Sequence, residues 1–186
     1  MLYMADSFLK LTDIIKLRTI DMPQPSLKPV LSDNDIKETA ALAATIWKEH
    51  FTPIIGSAQV GYMLEKFQSE EAIRRQIENG YLYFGLMLGE KQIGYTGLRL
   101  DTDCLFLSKL YIQKGYRGNG FSRRMIAEAE KIAKQNNKPV IRLTCNRHNA
   151  GSLAVYKKAG FQIVREEKTD IGSGFVMDDY IFEKSI

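Results

Sequence analysis

The stretch YIQKGYRGNGFSRRM, Tyr111 to Met125, constrains this chain more than any other segment. An apolar run leads into it and an amphipathic helical pattern leads out. Between them lie three glycines and four cations, Lys114, Arg117, Arg123 and Arg124. A helix N-terminus carries unpaired backbone N–H groups and the positive end of the helix dipole. Glycines let such a backbone take positive φ and approach a ligand closely. Strand, glycine turn and helix in that order therefore describe a cradle for phosphate.

Two common phosphate loops do not fit. Gly115 and Gly120 have P-loop spacing, but Phe121 stands where that loop needs its lysine, which argues against nucleotide hydrolysis. Gly118 and Gly120 lack the third glycine of a dinucleotide fingerprint, since Arg123 occupies its place. Taken alone, the segment also fits a tight turn flanked by solvated arginines.

The rest of the sequence narrows the field. A formal charge of +4 over 186 residues suits a small anionic ligand and falls short of a nucleic-acid-binding face. Cys104 and Cys145 each sit in an apolar, strand-like run and read as buried, reduced thiols of a cytosolic protein. His50 and His148 are the only histidines, too few for a histidine-built metal site, so no metal is expected. No apolar run reaches the roughly 20 residues of a spanning helix, and charges interrupt the N-terminal stretch at Asp6, Lys10, Asp13 and Lys16. Cytoplasmic localisation without a membrane partner is the expectation.

Hydrophobic periodicity divides the chain into a helical extension over 1–25, ending in the breaker stretch DMPQP, and a single domain over 26–186. A strand at 26–30 precedes a helix capped by Ser32 that runs to about His50. Two further helices are capped by Ser57 and Ser69, and the second ends at Asn79-Gly80. Strands follow at 81–88 and 91–100, joined at Gly89-Glu90, and at 104–112. After the glycine turn comes a helix with Met125, Ile126, Ala129, Ile132 and Ala133 on its buried face. A strand at 139–145, a helix at 150–158 and two strands joined by Gly172–Gly174 close the chain. The fold class is α/β in the mixed α+β sense: seven strands in a mixed, mostly antiparallel sheet flanked by helices.

LTCNRHNAGSLAVYKKAGF, residues 143–161, resembles the GNAT-superfamily N-acetyltransferase motif in which an Asn near a strand end precedes a short helix bearing a Tyr and ending in GF. Arg117-Gly118-Asn119-Gly120-Phe121-Ser122 resembles that family's (Q/R)xxGx(G/A) turn, with Ser122 at the final small position. Both motifs stand in the family's order, and the element string matches from about 26 to 186. The resemblance implies acetyl-CoA as cosubstrate, held between two parallel strands that splay apart. The amides of Arg117, Gly118, Asn119, Gly120, Phe121 and Ser122 would hold the pyrophosphate. The main chain at Leu110, Tyr111 and Ile112 would pair with the pantetheine arm, and Asn149 would meet that arm from the opposite strand. Tyr156 would donate a proton to the departing thiolate after direct attack by an amine in a ternary complex.

Many members of that family carry a glutamate base on the strand before the turn; its counterpart here is Ser108, a poor base. His50, His148, Asp178 and Asp179 stay open as proton acceptors, directly or through water. The segment after Trp47 loosely resembles the branch acetylating polyamines and other small amines. Trp47, Phe51 and Tyr62 are candidates for the acceptor pocket, with Glu70, Glu71, Asp178 and Asp179 to attract a cationic amine. The expected activity is N-acetylation of a primary amine, in a small molecule or at a peptide terminus. A non-catalytic acyl-CoA-binding regulator is the alternative, and self-association into a homodimer is open.

Overall fold

A computed structural model describes residues 24–186. The extension read over 1–25 falls outside these residues except for its last two. Helix α1 (Asp33–Ile55) starts at Ser32 in a reciprocal cap, Ser32 accepting from the Asp35 N–H while the Asp35 carboxylate accepts from the Ser32 N–H. It runs five residues beyond the expected His50, through Pro53, and stops at Gly56 (φ 81°). A proline in the last turn costs one helical hydrogen bond, and burial of Phe51 against Trp47 offsets it, with ring centroids 4.4 Å apart. Helices α2 (Ser57–Gln68) and α3 (Glu70–Glu78) follow. Ser69 caps α3 as expected; Ser57 is the first residue of α2 and Gly56 stands at its cap without a side-chain bond.

Strands β1 (Pro25–Pro29), β2 (Leu82–Leu88), β3 (Lys91–Leu100) and β4 (Leu105–Ile112) form an antiparallel half-sheet. Helix α4 (Phe121–Gln135), β5 (Val140–Asn146), α5 (Ala150–Lys158), β6 (Gln162–Gly172) and β7 (Phe175–Ser185) complete the chain. Seven strands lie in the order β1-β2-β3-β4-β5-β7-β6, and every neighbouring pair is antiparallel except β4–β5. Strands β6 and β7 run longer than expected because Ser173 and Gly174, both at positive φ, make the two-residue turn that suits strand twist.

Each face of the sheet buries its own core. Leu105, Leu107, Ile126, Ala129, Leu143 and Phe182 pack beneath α4 and α5. Ile46, Trp47, Val60, Ile73, Tyr83 and Tyr95 pack beneath α1–α3. Both cysteines are free and buried, as read from the sequence.

Candidate active site

Strands β4 and β5 pair in parallel only at Leu105–Ile141 and Phe106–Arg142. Beyond Phe106 they part. The ladder between β3 and β4 passes from Leu98–Leu107 to Gly97–Lys109, so Ser108 is the extra residue of a bulge. The bulge reverses which residues face which core: Leu105 and Leu107 lie under α4, whereas Tyr111 packs with the α1–α3 core. The Gln113 N–H donates to the Ile93 carbonyl. Alternation along an antiparallel ladder then gives Tyr111 to β3 and turns the main-chain groups of Leu110 and Ile112 toward the gap. One of them is taken, because Arg117 Nε donates to the Ile112 carbonyl at 2.9 Å.

The turn leading to α4 differs from the start of α1 in each respect that matters for anions. At α1, a serine caps the N-terminus and Asp33 and Asp35 occupy the first turn. At α4, Gly120 (φ 77°) stands at the cap, no side chain satisfies the first N–H groups, and the first turn has no acid. A Cβ on Gly118 or Gly120 would meet no protein atom within 4 Å, so the turn has open space in front of it. A bare, positive helix end facing open space accommodates a phosphate group. Asn119 turns its side chain back onto the Tyr116 and Arg117 carbonyls and rigidifies the turn.

Across the gap, Asn149 caps α5, its Oδ1 accepting from the Ser152 N–H at 3.4 Å. The same oxygen lies 3.2 Å from His50 Nε2, and His50 Nδ1 lies 3.2 Å from the Arg117 guanidinium. Arginine only donates, so Nδ1 accepts and the imidazole proton sits on Nε2, donating to Asn149. Burial and the Arg117 charge both lower the His50 pKa and keep the ring neutral. Its lone pair is thus committed, which removes His50 as a free base. Tyr156 is buried against Phe161 and Phe182, with centroids 5.8 and 5.9 Å away. Burial, then the Cys145 thiol, pushes its phenol far above the ordinary value, so the hydroxyl keeps its proton.

These elements surround one cavity of about 1160 Å³. Tyr156, Asn149, Arg117, Gly118, Gly120, Phe121 and Ser122 line it together with Leu110, Tyr111 and Ile112. Among the residues proposed for the cofactor, Asn119 alone stays off the wall. Trp47, Phe51 and Asp179 line it as well. Tyr62 does not: it donates to the Ile171 carbonyl and packs on Phe175, holding the β6–β7 hairpin. Glu70 and Glu71 line a separate shallow hollow, where Glu71 pairs with Arg75. Asp178 is spent on Arg147 and Lys168, and His148 stands exposed in its loop.

Asp179 has a different environment from its neighbour. It is 7% exposed, and burial, then Asp178 and Glu167, raise its pKa to about 6, with the Thr144 side chain opposing them. A carboxylate near 6 is ionised at neutral pH yet basic enough to take a proton. Sequence reasoning missed Lys109 altogether. Its ammonium, 6% exposed as a residue, donates to Gln76 Oε1 at 2.6 Å and Ser108 Oγ at 3.1 Å on the same cavity wall. The one signal was a lysine inside the apolar run CLFLSKLYI.

A profile of the acetyltransferase (GNAT) family matches residues 44–161. The spermidine N(1)-acetyltransferase of Thermoplasma acidophilum is 28% identical over 153 residues, covering 80% of this chain and 92% of that protein. Among solved structures, the PaiA N-acetyltransferase of the same organism, in complex with coenzyme A, superposes with a TM-score of 0.73 at 24% identity, over 88% of this chain and 99% of that one. A GCN5-related N-acetyltransferase from Rhodopseudomonas palustris gives 0.74 at 19% identity, over 89% and 98%. Such identities speak to the fold, and both cover nearly the whole domain.

Proposed function

This chain belongs to the GNAT family of acetyltransferases, and from that premise we propose that it moves the acetyl group of acetyl-CoA to a primary amine. The observation that carries the reading is the gap beyond Phe106, which joins a bare helix end, unpaired strand backbone, Tyr156 and Asp179 in one cavity. The spermidine-acetylating relative supports an amine acceptor.

The residues present fit acetyl-CoA. The Arg117 N–H is spent on the Lys114 carbonyl, so the amides of residues 118–122 would take the pyrophosphate, with no competing carboxylate in the first turn of α4. Leu110 and Ile112 would offer main-chain partners to the amide-bearing arm from one side of the gap, and Asn149 would meet it from the other. When bound, acetyl-CoA supplies the activated acyl group as a thioester.

The protein's part is proton management and positioning. Asp179 would accept the proton that the amine sheds, since its carboxylate is ionised at neutral pH. Tyr156 would hold a proton for the leaving sulfur, because burial keeps its phenol protonated. His50 ties Arg117 to Asn149 across the gap and positions both motifs. With Asp179 in this role, Ser108 no longer leaves the site without a base.

Detection of free thiol with acetyl-CoA and a panel of polyamines, amino acids, aminoglycosides and peptides tests the reading. CoA release that depends on a particular amine is expected. Firm acetyl-CoA binding with no release from any of them would favour the regulator instead.

A further inference from the structure

The charges around the cavity go beyond naming an amine. We propose that the acceptor is an amino carboxylate, its amine directed to Asp179 and its carboxylate seated on Lys109. The inference rests on the transfer reading above and narrows its substrate class.

Asp179 is the only carboxylate-bearing residue among the described residues that line the cavity. Its α1–α3 half is lined by three cationic side chains, Lys66, Arg75 and Lys109. Two of these already have partners, Lys66 on the Ile171 carbonyl and Arg75 on Glu71. Lys109 is different. Its nitrogen lies 5.2 Å from the Tyr81 ring centroid and 5.3 Å from that of Tyr83, and its hydrogen bonds go to the neutral acceptors Gln76 and Ser108. Burial first, and then repulsion from another cation, Arg99, lower its pKa to about 7. A buried ammonium costs much without an anion. An ammonium offers three donors, and two are used. The bulge at Ser108 is what puts these consecutive side chains on one wall rather than on opposite faces.

A polycation would bring like charge against Lys109 and find one carboxylate to meet it. A carboxylate would complete the ammonium's third hydrogen bond and draw its pKa back up. One buried cation matches a monoanion better than a doubly charged phosphate. Strand β5 lies between β4 and β7, and β4 parts from β5 beyond Phe106, so the Lys109 and Asp179 backbones stand farther apart than two ordinary strand spacings, which together are about 10 Å. That separation suits an amine held several bonds from its acid, as in an ω-amino acid or the ε-amine of lysine.

The test compares each acid with its decarboxylated amine: lysine with cadaverine, ε-aminocaproate with pentylamine, and spermidine beside them, scored by CoA release. The acid of a pair should show at least about ten-fold higher kcat/KM. Lys109→Met should remove that preference through KM while changing the decarboxylated amine by less than about three-fold. Should that variant fold poorly, the wild type carries the test through pH. The KM of the acid should rise as pH passes about 7, where Lys109 loses its proton, and the KM of its decarboxylated partner should not follow. Preference for spermidine or for the decarboxylated amines overturns the proposal. Absence of release from every amine, with acetyl-CoA bound, instead sinks the transfer reading and this one with it.

Discussion

Asp179→Asn should make the protein more stable and less active. In the folded chain the Asp179 pKa is raised from 3.8 to about 6, with burial as the main cause. Two pKa units correspond to about 3 kcal/mol. The sign follows from proton binding: between pH 4 and 6 the folded state holds a proton that the unfolded chain has released. Stability from this group therefore falls as pH rises through that window, and above pH 6 the whole penalty is present. Asparagine has no charge to desolvate. The variant should match wild type near pH 4 and gain roughly 1–3 kcal/mol at pH 7.5, after allowing for an amide that fits less well beside Thr144. At this size each kcal/mol moves Tm by about 2–4 °C, so the gain is visible by calorimetry. Meanwhile kcat/KM should fall by about 10²-fold or more and the acid limb near pH 6 should disappear. A variant that is destabilised at both pH values, or that keeps the limb, would refute the argument.

Tyr156→Phe keeps the ring packed on Phe161 and Phe182 and should lower kcat and kcat/KM together by about 10²-fold, with acetyl-CoA affinity unchanged by calorimetry. Because burial holds the phenol protonated, no alkaline limb in the rate profile should come from it; wild-type rates in the variant would return Tyr156 to a packing role. Gly120→Ala forces a side chain into a left-handed residue at about 1–2 kcal/mol and should weaken acetyl-CoA binding about ten-fold. Gly115→Ala, in the same turn but without positive φ and with no atom near its Cβ, should bind as wild type. Equal affinities in the two variants would remove the cradle at residues 117–122.

What the sequence disclosed followed the physics that leaves marks in it. The glycine turn needs residue types that few other structures need, so Gly118 and Gly120 were legible, and so were the caps at Ser32 and Ser69. Helix α1 outran its expected end because burial of Phe51 outweighed Pro53, a tertiary effect that no local pattern encodes. Tyr62 was assigned to the pocket from a loose resemblance of its segment to the polyamine-acetylating branch, but the β6–β7 hairpin claims it. Asp178 and Asp179 look alike as letters. Period two along Met177, Asp179 and Ile181 was the available signal that the second points inward, and β7 pairing opposite Asn146 sets it there. Lys109 could not be placed, since a one-residue bulge inverts the alternation on which any such placement depends.

The open centre of the sheet has a consequence for how freely this sequence can change. A slot proposed to bind through the peptide groups of Leu110 and Ile112 asks nothing of their side chains, which face the cores instead. Substitutions there are judged by how well they fill space, and the edge they present stays the same. The proposed acceptor wall is built the other way, from individual side chains such as Asp179 and Lys109, where one replacement would rewrite the chemistry. Two rates of divergence are thus set within a few ångströms of each other. The donor half of the cavity can persist through extensive turnover of residues, while the acceptor half is re-specified by a single codon.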